Sequence, residues 1–125
     1  MEKRAARDAV VRETVKRAIE LSNIILSTSK TKYTSIRFRS LMSYAYVSLV
    51  KGEREIRRIK AKLGYIKIPQ SVFSWAAYWL LEKELKKVYG RSVKFVVRRR
   101  KKYVVLRRTK SALKKINEKQ ASLSK

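Results

Sequence analysis

VKFVVRRRKKYVVLRR, residues 93–108, decides how the fold is read. Five consecutive cations, Arg98 to Lys102, lie between two runs rich in valine and aromatic residues. Wound as a helix, the segment puts Val93, Val96, Val97, Tyr103 and Val104 on one face, with Arg100 and Arg107 intruding. Laid out as a hairpin, it gives two β-branched strands joined at RRRKK, without the Asn-Gly or Asp-Gly pair that marks a tight turn. Both readings fit the residues, and the choice separates an all-helical protein from one with a small sheet.

Outward from this stretch the charge continues. Residues 91–119 hold 13 Lys+Arg and one acid, Glu118. The whole chain of 125 residues has 34 Lys+Arg against 9 Asp+Glu, a formal net charge of +25. Self-repulsion at that charge opposes compaction unless an anion is near. The chain has the length of one domain, and its 45% hydrophobic residues can bury a modest core, which separates it from a disordered basic tail. Charged residues make up 34% while Asn and Gln are few, a mix that leans toward a hot-living source.

Upstream, Glu2 to about Ser27 reads as one long helix, with Val10, Val11, Thr14, Ala18, Leu21 and Ile25 at helical spacing. The same face is basic further back, at Lys3 and Arg7, so the helix begins as a charged arm. STSKTKYTS, residues 27–35, reads as a polar connector; Thr34 or Ser35 then caps a second helix through Val50, closed by Gly52. A short third helix lies in EREIRRIKAKL and ends at Gly64. YIKI reads as extended, and Pro69 opens a fourth helix that runs from near Gln70 to Tyr89. Within that helix VFSWAAYWLL, residues 72–81, has Ser74 as its one polar residue. A helix apolar all round needs cover on every side, from the core or from a partner chain. Phe73, Trp75, Tyr78 and Trp79 are therefore candidate subunit contacts, Trp and Tyr being enriched at interfaces. Beyond the basic stretch, TKSALKKINEKQASLSK suggests a short amphipathic helix and a polar tail. The expected fold is mainly α: a small helical bundle with a long basic N-terminal arm and the 93–108 segment as helix or hairpin. One compact unit divides into arm and connector (1–33), helical core (34–90) and basic C-terminal segment (91–125).

Catalysis has little to work with. Histidine and cysteine are absent, which removes the usual general base, thiol nucleophile and most transition-metal ligands. Glu53 with Arg57 and Glu82 with Lys86 have the spacing of surface ion pairs, and Asp8 is the one aspartate. Each glycine follows a helix, so there is no phosphate-cradling loop. No enzyme activity, cofactor or metal is expected.

Function is then read from the cations. Nucleic acid is the obvious counterion and an anionic membrane surface the next. Duplex DNA carries one charge per ~1.7 Å of axis, so +25 matches roughly 40 Å, or about 12 base pairs. A sequence reader makes about 6–10 phosphate contacts, fewer than this charge could supply. Scarce Asn and Gln, the usual adenine readers, also favour contact with the backbone. The candidate nucleic-acid-binding residues are Lys3, Arg4, Arg7, Arg12 and Lys16 on the arm, with Arg98, Arg99, Arg100, Lys101, Lys102, Arg107 and Arg108.

In layout the chain resembles the major capsid proteins of filamentous double-stranded DNA viruses of hyperthermophilic archaea. The matching features are small size, the basic arm Glu2–Ser27, compact helices with the apolar segment Val72–Leu81, and the lack of catalytic chemistry. The resemblance implies a nucleocapsid subunit that pairs with itself or a homologous partner and wraps double-stranded DNA in a helical assembly. Some members of that family add a lipid envelope. The location implied is the virion, assembled in the host cytoplasm. The basic β-branched 93–108 segment departs from an all-helical capsid fold. Two other readings stay open: helices followed by a 93–108 hairpin have the order of a winged helix-turn-helix regulator, and a ribosomal or other RNA-bound protein is equally basic. Against the former, FSWAAYWLL in the would-be recognition helix suits an interior.

Overall fold

The computed structural model describes residues 2–29 and 31–107, with side chains from Asp8 onward. Helix α1 (Glu2–Thr28) leads into strand β1 (Tyr33–Arg37), then α2 (Phe38–Lys51), α3 (Ile56–Lys62) and α4 (Trp75–Tyr89). A hairpin of β2 (Val93–Arg98) and β3 (Lys101–Arg107) follows. The protein is mainly helical, with a small antiparallel sheet in the order β1-β3-β2. The amphipathic helix expected beyond residue 108 lies outside the described residues.

The opening stretch is thus a hairpin. Alternation decides it: Val93, Val104 and Leu106 are buried on the inner face, and Lys94 and Arg107 are exposed between and beyond them. Period two suits a sheet with one face on a core. The third strand corrects the sequence reading, which expected Thr34 or Ser35 to cap a helix. Thr34 pairs with Leu106 and Ile36 with Val104, so residues 33–37 extend along β3 and α2 begins only at Phe38. β-Branched Thr34 and Ile36 gain more from a buried cross-strand neighbour than from one helical turn.

The start of α4 also differs from expectation. Pro69 precedes a 3-10 turn, Gln70–Phe73, and YIKI is partly taken up by another, Leu63–Tyr65. The α-helix begins at Trp75 behind Ser74, whose Oγ accepts the Ala77 N–H at 3.2 Å. A serine cap satisfies one of the orphan donors of the first turn.

One core joins all layers. Val15, Ala18, Leu21 and Leu26 of α1 meet Phe38, Leu41, Met42 and Ala45 of α2, Leu81 and Leu85 of α4, and Val104 and Leu106 of β3. Each large side chain fully buried there contributes about 1.5–3 kcal/mol. The second half of α1 is therefore core, not arm. At the base of the α1–α4 seam the buried Tyr89 hydroxyl donates to Asn23 Oδ1 and lies 2.7 Å from Ser22 Oγ. Burial pushes that phenol far above its ordinary range, so it stays a neutral hydrogen-bonding group.

Candidate nucleic-acid interface

At the far end of the hairpin, Arg98 pairs across the strands with Lys101, and Arg99 and Arg100 form the turn between them. Arg99 has φ 52° and Arg100 φ 66°. Two central residues at positive φ are the signature of the turn type that follows strand twist, normally built from Asn-Gly. Left-handed backbone costs a non-glycine residue about 1–2 kcal/mol. Two arginines held there against propensity place a dense charge at one fixed point, and strained backbone of this kind clusters at functional sites. All four side chains, Arg98 to Lys101, are exposed. No carboxylate among the described residues pairs with any of them.

Lys102 behaves otherwise. On the inner face, its Nζ donates to Glu82 Oε2 of α4 at 2.6 Å and lies 5.0 Å from the Phe38 ring. This bond holds the Glu82 carboxyl below its ordinary range, against the opposing effect of burial, with Lys86 adding to it. Phe38 meets Tyr78 and Phe95 edge-on, at 5.5 and 5.7 Å between centroids, and so braces the hairpin against α2 and α4. The fifth cation of the run therefore steers the other four.

The sequence reading missed two partners of the tip. Arg37 and Arg39 flank Phe38 at the head of α2, and with Phe38, Tyr78, Arg100, Lys101 and Lys102 they line a cleft of about 140 Å³. Only the β1 pairing, which fixes where α2 starts, brings them there. Their signal in the sequence was the RFR triplet itself.

Beside this cleft α4 presents its first turns. Trp75 is 81% exposed and Trp79 53%, with Lys83 Nζ 5.3 Å from the Trp79 ring. The expectation that the apolar run is covered on all sides fails within this chain for these two. Phe73 and Tyr78 do pack inward: the Arg39 guanidinium lies 4.3 Å over Phe73, and both rings adjoin the core. Of the four candidate contact residues, then, Trp75 and Trp79 face out.

The remaining candidate cations are dispersed. Arg12 and Lys16 are exposed on α1, Lys16 near Glu13 at 3.5 Å. Lys3, Arg4 and Arg7 lie on the described backbone of α1 but their side chains are outside the described residues, as is Arg108 altogether. Arg107 stands at the opposite end of β3 from the tip, about 20 Å from Lys101 along an extended strand. Among the described residues no acidic cluster could hold a metal, and no helix is long and apolar enough to cross a membrane.

No protein-family model, curated protein or solved structure matches the chain.

Proposed function

We propose that the chain binds double-stranded DNA as a winged helix-turn-helix, with α4 at the groove and the hairpin tip on the adjoining backbone. The observation that carries this reading is the tip: four cations on a tight turn with no carboxylate partner among the described residues, braced by Lys102–Glu82 and flanked by Arg37 and Arg39. The order α2, α3, α4 and hairpin, with β1 completing the sheet, supports it. The objection that FSWAAYWLL belongs inside loses force, because Trp75 and Trp79 are directed to solvent at the start of α4. Phosphate contact dominates the energy, so binding is steeply salt-dependent. Aromatic and alanine side chains at the groove suit apolar contact such as a thymine methyl, with little polar readout.

Changing Arg98, Arg99 and Arg100 together to Gln tests the proposal. Each lost phosphate contact lowers the log–log salt slope by ~0.9, so the slope falls by roughly 2–3 if all three touch phosphate. An unchanged slope overturns it.

A second reading, coating of viral DNA as a capsid subunit, uses the same cations and draws on the exposed Trp75–Trp79 pair as a contact between subunits. Electron microscopy with long duplex DNA separates the two. Regular filaments at saturation support coating and a virion location; isolated particles support a regulator.

A further inference from the structure

We propose that the outer face of the sheet is a second binding surface, for single-stranded nucleic acid. This goes beyond the duplex reading and does not rest on it. The strand register sets out the face. Tyr33 opposes Arg107; Ser35 and Lys94 flank Val105; Arg37 and Val96 flank Tyr103; Arg98 opposes Lys101. The alternate rows, with Val93, Val104 and Leu106, belong to the core, so these residues point the other way. The three strands contain no acidic residue. No carboxylate among the described residues pairs with Arg37, Lys94 or Arg107.

At the end remote from the tip the face hollows into a cavity of about 70 Å³, lined by Tyr33, Arg91, Ser92, Lys94, Val105 and Arg107. Three cations converge there beside a tyrosine that is 53% exposed. Charge complementarity selects the occupant. The chain's own segment 108–125 carries six Lys+Arg and one Glu, and a second copy carries net +25, so neither complements the charge of the face. A polyanion is attracted. A duplex keeps its bases stacked inside and offers a flat surface only phosphate. A single strand offers a phosphate to Arg91, Lys94 and Arg107 and an open base face to Tyr33 together, and base–aromatic stacking of that kind tolerates any sequence.

The test measures anisotropy of labelled oligo-dT and oligo-rU of about 16 nucleotides with the full chain, alongside a duplex. Tyr33→Ala is expected to weaken oligonucleotide binding about tenfold, the lower part of the stacking range, with duplex affinity unchanged. Tyr33→Phe keeps the ring and is expected to restore it. Lys94→Gln with Arg107→Gln lowers the single-strand salt slope by about 1.4, at ~0.7 per contact. No oligonucleotide binding by the native chain overturns the proposal, as does full affinity in Tyr33→Ala. Equal loss on duplex and single strand also overturns it, because both then share one site. Binding lost only in the Arg98–Arg100 variant assigns single strands to the hairpin tip and overturns it too. The triple variant is read on duplex and Tyr33→Ala on single strands, so the failure of either proposal is seen separately.

Discussion

Helix α4 carries aromatic residues at both ends and treats them oppositely. At its C-terminal end Tyr89 is 3% exposed, its hydroxyl fixed by Asn23 and Ser22 of α1. At its N-terminal end Trp75 is 81% exposed, and no ring among the described residues packs on it. The two ends differ in what lies opposite. Ser22 and Asn23 of α1 close over the last turn, while the first turn projects beside the basic cleft. An aromatic run on a helix thus reports apolar content; the neighbouring elements decide whether that content is interior or displayed.

The buried end should be the fragile one. Leu85→Ala removes a fully buried side chain and is expected to cost about 2–5 kcal/mol in denaturant or thermal unfolding. A loss under ~1 kcal/mol would mean that the seam is loosely packed. Tyr89→Phe keeps the ring but leaves Asn23 Oδ1 without its donor, and about 1–3 kcal/mol is expected to go with it. The middle of the helix responds to acid. The folded carboxyl of Glu82 titrates below its ordinary value because Lys102 donates to it. Its contribution is therefore complete above the ordinary carboxylate pKa of 4.5 and is lost as pH falls through the lower folded value. Glu82→Gln should remove that part of the acid dependence, at a cost of about 0.2–1 kcal/mol near neutrality for a partly exposed pair. The displayed end should barely register: Trp75→Ala is expected to stay within ~0.5 kcal/mol of the native stability while changing self-association or DNA binding. If it unfolds the protein instead, the contrast between the two ends is wrong.

The same contrast shows what the sequence could disclose. The long helix α1 was legible because Thr14, Ala18 and Leu21 fall on one stripe, a property contained within the segment. Strand β1 was not. TKYTSIRF has no apolar repeat of its own, and it extends because Leu106 and Val104 await it some seventy residues downstream. The hairpin stayed undecided because Arg99 and Arg100 occupy positions where turn chemistry calls for Asn-Gly. The cations of the tip were visible as a run. That Lys102 would turn inward to Glu82, and that Arg37 and Arg39 would join the tip, depended on the register and on the start of α2. Ser74 looked like a lone polar interruption of an apolar helix and is its cap.

Among the described residues the strand order β1-β3-β2 leaves the backbone edge of β2 without a partner strand. An open edge is a template on which another extended chain can add, and Val97, 68% exposed near the tip, would favour such growth. Lys94, Arg98 and Arg99 guard it: a second strand of the same chain brings the same cations and is repelled. Guarding of this kind lasts only while the charge is bare. Neutralising the hairpin cations would remove that repulsion along β2.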